Sequence, residues 1–298
     1  MFPNKFLKRW LLPPGIADVL AKAKRNLLGE TGPSDIGRGP SPHDIPLLAK
    51  TALLKDRYRG QRCFILGAGP SVKRQDLRKL AGEVVISVSN TFVHPDFPIF
   101  RPRYHVLPHI LRGHERLYPR EKFVAWLKEM ERKTFDAEMV FHIGDRDLIV
   151  SNDLFRDRVV YWVEYSTDLN DLRPEIDPSW LPPIWSVSET ALTLAVYMGF
   201  ESIYLLGIDH DWFAGLFKYF FDEKTEHALR PDKTNLDYVD AEFQMRRHAD
   251  IFRKYKYLFA MKKNIYNANA DPNHYMDVFP KVNFESLFSS ATATTMKP

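Results

Sequence analysis

Phe64-Ile65-Leu66-Gly67-Ala68-Gly69-Pro70-Ser71-Val72 is the stretch that decides the fold. With Arg62 and Cys63 ahead of it, an apolar run of strand length ends abruptly at Gly67. Two glycines let the backbone turn tightly and approach a ligand without a Cβ in the way. Pro70 suits the first turn of a helix, where its missing N–H is not needed. Ser71 can cap exposed amides or offer its hydroxyl to a phosphate. The pattern predicts a strand, a tight turn and a helix start, with an anion site at Gly67, Ala68, Gly69, Pro70 and Ser71. It is not GxGxxG, because Val72 holds the sixth position, and the GK[ST] ending of a P-loop is missing. An ordinary strand-to-helix turn would carry the same residues.

Working outward, further short apolar runs lie at Val84–Ser89, Tyr104–Leu107, Met139–Ile143, Val159–Val163, Ser202–Leu206 and Asn264–Tyr266. Helical periodicity fills the gaps at about Gln75–Leu80, Arg120–Lys133, Ser188–Met198 and Leu236–Lys262. In the last of these Val239, Phe243, Ile251, Phe252, Tyr255, Leu258 and Phe259 fall near one face, with Arg246, Arg247, Lys254 and Lys256 mostly elsewhere. Strands alternating with helices predict an α/β, Rossmann-like fold: a mostly parallel sheet with helices on both faces. Residues 1–60, with helical patterns at Ile16–Leu28 and Ile45–Leu54 around a Gly/Pro/Ser-rich stretch, read as an N-terminal helical leader. Residues 61–288 form the nucleotide-binding domain and 289–298 a flexible tail.

The chain has 298 residues, 45% hydrophobic and 27% charged, with a net charge of +4. That balance is globular and mildly basic. It suits an anionic small ligand and argues against nucleic acid as partner. The single cysteine, Cys63, sits inside a strand-like run, so no internal disulfide can form. No CxxC or Cys/His pattern suggests a zinc site. No apolar stretch approaches the ~20 residues that span a bilayer. A cytoplasmic location follows as the expectation. The basic, apolar start Met1–Leu12 suits either docking on the domain or peripheral contact with the inner face of the membrane.

Carboxyl ends of neighbouring parallel strands share one crevice, which directs attention to the residues that follow them. Asn90 ends the second strand and suits a base or ribose as well as a turn. Gly67-Ala-Gly-Pro-Ser71, Ser89-Asn90, Ser186-Val-Ser188-Glu-Thr-Ala and Gly207-Ile-Asp209-His210 occur in that order. Over residues 60–288 the chain thereby resembles a bacterial and archaeal superfamily. It includes CMP-sialic-acid-dependent sialyltransferases, motility-associated flagellin-glycosylation factors and 6-hydroxymethylpterin diphosphokinase-like proteins.

The resemblance implies that Gly67–Ser71, Asn90, Ser186 and Ser188 hold a nucleotide, and that Asp209 acts at the crevice. Where the sialyltransferases carry a general-base histidine ahead of a long helix, Arg230–Leu236 has none. His210 and His227 are the substitutes, and His105 and His109 flank another strand end. Arg101, Arg103 and Arg112 read either as phosphate attractors or as a solvated face. The implied function is a nucleotide-sugar-dependent glycosyltransferase acting on a cell-surface glycan or glycolipid, its donor a CMP-linked acidic sugar, with no cofactor required. The alternatives are a Mg2+-dependent diphosphokinase and a nucleotide-binding protein without catalysis. A homo-oligomer is compatible with all three.

Overall fold

The computed structural model describes residues 43–110, 119–166, 168, 171–210, 219–221, 241–270 and 276–289. Seven strands form one sheet: β1 Arg62–Leu66, β2 Val84–Val88, β3 Tyr104–Val106, β4 Glu138–His142, β5 Val160–Val163, β6 Ser202–Leu206 and β7 Ile265–Asn267. Every pairing is parallel, in the order β5-β4-β3-β2-β1-β6-β7. The expectation of a mostly parallel sheet is met in full. Such strands are buried on both sides, which is why each reads as an unbroken apolar run.

Alternate residues of each strand feed two separate cores. From β1, Phe64 and Leu66 join Val85, Met139 and Phe141 on one face. There they meet Phe123, Trp126, Leu127 and Met130 of α3 (Arg120–Lys133). Cys63 and Ile65 face the other side with Ile86, Val106, Val140 and Leu205. That side is covered by α5 (Val187–Tyr197) through Ala191, Leu192, Leu194 and Ala195. It is also covered by α6 (Ala241–Met261) through Ile251, Tyr255 and Leu258. Each such fully buried large side chain contributes about 1.5 to 3 kcal/mol by leaving water. Cys63 is fully buried and burial pushes its thiol well up, so it is inert packing.

Two short helices, α2 (Phe97–Phe100) and α4 (Arg146–Ser151), lie in the crossovers after β2 and β4. The helices expected after Gly69 and at Gln75–Leu80 are only 3-10 turns, Pro70–Arg74 and Leu77–Leu80. Five residues in 3-10 geometry align few peptide dipoles, so the macrodipole expected at the glycine turn is largely absent.

The expected leader boundary at residue 60 does not match the packing. Helix α1 (Ile45–Thr51) packs on β5, and Leu48, Leu54 and Tyr58 are core residues. The Thr51 hydroxyl donates to the Trp162 carbonyl (2.7 Å) and accepts from the Trp162 amide (3.1 Å), on the side of β5 that faces no strand. At the opposite edge, Asn267 of β7 bonds the Pro280 carbonyl and the Val282 amide (2.8 and 2.9 Å). The described residues from His43 to Ser289 belong to one compact unit. The Ile16–Leu28 helix, the Met1–Leu12 segment and the tail beyond Ser289 lie outside the described residues. No helix among the described residues is long and apolar enough to cross a membrane.

Candidate functional site

The chain runs outward from β1 through β2 to β5, then returns to lay β6 on the other side of β1. The order therefore reverses between β1 and β6, and the region beyond their carboxyl ends is where open α/β sheets place a ligand crevice. The glycine turn follows β1 there, and Gly207-Ile208-Asp209-His210 follows β6.

The two loops touch through their backbones. The Gly67 amide donates to Leu206 (2.7 Å) and the Gly69 amide to Gly207 (2.8 Å). A Cβ on Gly67 would overlap the Gly207 carbonyl group, with its carbon 2.9 Å away. One on Gly69 would lie 2.5 Å from the Asp209 carboxylate carbon and 2.7 Å from the Gly207 carbonyl oxygen. Gly207 itself has φ +62, and its Cβ would sit 2.5 Å from the Gly67 carbonyl oxygen. The glycines are thus required by contact between the two loops. The sequence reading attributed them to a ligand.

The anion at the turn belongs to the protein. Asp209 is 5% exposed and accepts from the Ser71 amide (2.9 Å) and the Ser71 hydroxyl (2.6 Å). The amides of Gly67, Gly69 and Ser71, expected to cradle phosphate, all have acceptors within the chain. The helix start at Ser186 is filled in the same way. Glu189 closes a capping box there, its Oε2 accepting from the Ser186 amide (2.7 Å) and the Trp185 amide (2.8 Å). Glu189 is 2% exposed. Burial raises its pKa, against the pull of the Lys254 ammonium 3.0 Å from Oε1. Lys254, expected on the polar face of α6, is 4% exposed and also bonds Asp250 (2.7 Å) and the Pro183 carbonyl. An acceptor set of this kind is what lets a lysine be buried.

His210 also lies at the crevice but turns inward. Its backbone is left-handed at φ +48, a conformation uncommon outside glycine. Its Nε2 is 2.8 Å from the Tyr255 hydroxyl of α6 and 3.5 Å from the Ser188 hydroxyl. Ser188 continues to Tyr255 (2.8 Å) and Ser186 (2.7 Å). Burial raises the Tyr255 pKa, so the phenol stays protonated. The structure therefore joins His210, Ser188 and Ser186 in one hydroxyl chain, and Asp209 to Ser71. Asn90, in the 3-10 turn after β2, accepts from the Trp126 indole (2.8 Å). His227 lies outside the described residues, as does Arg112.

The chain matches no protein-family model and no curated protein.

Of the remaining sequence candidates, His105 is core. It is fully buried on β3, 2.7 Å from the Ser87 hydroxyl, and burial pushes its pKa down to about 3. Arg101 pairs with Asp136 and Arg103 with Glu138, at the amino end of the sheet, away from the crevice. Of the long loop after Asp209, residues 219–221 are described. Phe220 donates its amide to the Ala68 carbonyl (3.0 Å) and its ring meets His94 at 5.0 Å. That piece of the loop rests on the glycine turn.

Two features escaped the sequence. Arg247 donates to the Trp185 carbonyl beside the start of α5, and burial lowers its pKa. The periodicity of α6 had set it on the outer face. The second is a cluster of His109, His142 and Asp145 at the ends of β3 and β4. The sequence offered only His109, because residues 33 or more apart become neighbours through strand pairing alone.

Proposed function

We propose that the chain is a nucleotide-dependent transferase whose donor binds at the β1–β6 crevice. It moves a sugar from the nucleotide, a CMP-linked acidic sugar by resemblance, to a hydroxyl of a cell-surface glycan or lipopolysaccharide precursor. The observation that carries this reading is convergence. Ser71, Asn90, Ser186, Ser188, Asp209 and His210 come from four separate segments, and hydrogen bonds join Ser71 to Asp209 and Ser186 through Ser188 to His210 beside the point where strand order reverses, with Asn90 following the neighbouring β2. Ligands of open α/β sheets gather at such a point.

The carboxylates of Asp209 and Glu189 fill the turn and the helix start, so the nucleotide is held by side-chain donors rather than bare amides. The hydroxyls of Ser186 and Ser188 and the guanidinium of Arg247 then face the charge that develops on the leaving nucleotide. A proton taken up at His210 has Tyr255, Ser188 and Ser186 as an adjoining hydroxyl chain; His227 is the other candidate base. Both Asp209 oxygens accept from Ser71.

A thermal-shift series with CMP, UDP, GDP and ATP, each with and without Mg2+, tests the reading. A ligand at 100 times its Kd stabilises the native state by about 2.7 kcal/mol. CMP is expected to raise Tm independently of Mg2+, and Arg247→Met to weaken that shift. A shift with ATP only in Mg2+ would favour the diphosphokinase. Binding without turnover would favour a non-catalytic protein, and no shift with any nucleotide would overturn the proposal.

A further inference from the structure

Strands β3, β4 and β5 end side by side, and each is followed by ionisable residues. His109 comes three residues after β3. His142 ends β4 and is followed by a 3-10 turn, Ile143–Asp145. Glu164 and Tyr165 follow β5. The His109 and His142 rings stack at 3.9 Å and 15°, and Tyr165 stacks on His142 at 4.8 Å. Asp145 is fully buried, its Oδ2 accepting from the Ile110 amide (2.8 Å) and its Oδ1 3.5 Å from His109 Nε2.

The tautomer of His142 follows from its contacts. Nδ1 lies 3.0 Å from the Gly144 amide, which can only donate, so Nδ1 carries a lone pair. The proton is then on Nε2, 2.8 Å from Glu164 Oε1. A carboxylate behind an imidazole, with the lone pair on the far nitrogen, is the arrangement that supports a metal-ligating histidine. Gly144 marks where the donors converge: a Cβ there would be 3.0 Å from both His142 Nδ1 and His109 Nε2. Donor atoms of His109, His142 and Asp145 all lie within 4.8 Å of one another.

We infer that His109, His142 and Asp145 bind one divalent transition-metal ion of the Zn2+ class, with Glu164 as the residue that positions His142. Two imidazoles and one carboxylate favour Zn2+, Co2+ or Mn2+ over Mg2+ and Ca2+, which take oxygen ligands. Zinc–ligand bonds of about 2.0 to 2.1 Å place tetrahedral donors roughly 3.3 Å apart, so the site contracts on binding. Parallel rings cannot both hold an ion in their planes. The His109 side chain, 20% exposed against 6% for His142, is the one that turns. The Gly144 amide then yields Nδ1 to the ion. Three protein ligands leave a fourth position for water or substrate. The site lies two to three strands from the glycine turn, roughly 10 to 14 Å, and does not rest on the transferase reading.

The test uses the full chain, stripped with chelator and titrated with ZnCl2 by calorimetry. Co2+ serves as a spectroscopic probe, since its visible bands report coordination. One equivalent is expected to bind, without competition from excess Mg2+. His109→Ala, at the exposed edge, should lower affinity at least ~100-fold, and Glu164→Gln by ~10- to 100-fold. Both variants are first checked for a native circular-dichroism spectrum. His43→Ala should bind as the unaltered chain does. Absence of saturable Zn2+ binding, or unchanged affinity in folded His109→Ala or Glu164→Gln, would overturn the site.

Discussion

Replacing Gly69 by alanine tests why the glycine turn carries glycines. Gly69 has φ −67 and ψ 155, which alanine adopts without strain, so any loss must come from space. The new Cβ would lie 2.5 Å from the Asp209 carboxylate carbon, against an ordinary contact of about 3.5 to 4.0 Å. Asp209 must move by about 1 Å or more, which breaks its bonds to the Ser71 amide and hydroxyl. Hydrogen bonds to a charged group contribute ~1.5 to 3 kcal/mol each, so losing both should destabilise the domain by about 3 to 6 kcal/mol in Gly69→Ala. With Asp209→Ala in the background, only the overlap with the Gly207 carbonyl remains, a packing penalty of ~1 to 2 kcal/mol. Urea unfolding of both single variants and the double variant gives the coupling between the two positions. It should exceed ~1.5 kcal/mol. Additivity within ~0.5 kcal/mol would show that Gly69 does not make room for Asp209. A folded, fully stable Gly69→Ala chain that has lost nucleotide binding would return the glycine to the ligand.

Two further perturbations bear on buried charge. His105 is neutral in the folded state down to pH about 3, whereas in the unfolded chain it takes a proton below ~6.5. Stability from this group is complete above that value and falls as pH drops towards 3. The loss amounts to ~2 kcal/mol between pH 7 and 5. His105→Leu should flatten the urea midpoint over that interval, and an identical pH profile would refute the assignment. Lys254→Met leaves Glu189 buried without its cation and should cost about 3 to 5 kcal/mol. Adding Glu189→Gln should recover at least half of that, and a double variant as unstable as the single one would count against the pair.

The strands were legible because parallel strands buried on both faces need continuous apolar residues, as Cys63–Leu66 and Met139–Phe141 show. Helix α3 was legible to the residue from its 3.6-residue spacing. What the sequence withheld depends on distant pairing. Ser71 and Asp209 are 138 residues apart, and nothing local says that one carboxylate will satisfy the other's turn. Glycine spacing looks the same whether a phosphate or the Gly207 carbonyl makes the close approach. Lys254 sat on the polar side of α6 by periodicity, yet Glu189 and Asp250 draw it inward. His109 and His142 became neighbours only once β3 lay beside β4.

The Thr51 hydroxyl on Trp162 has a consequence for association between chains. A strand at the end of a sheet offers a row of unmatched peptide groups to any strand that drifts past. Here one threonine occupies both peptide groups of Trp162, in the middle of β5, and helix α1 lies alongside. A second copy is denied the register it would need to dock. At the far end, Pro280 and Val282 do the same for Asn267. A chain begun at Arg62 would keep all seven strands but lose the guard on β5. It should then self-associate in a concentration-dependent manner, although every residue of the crevice would still be present.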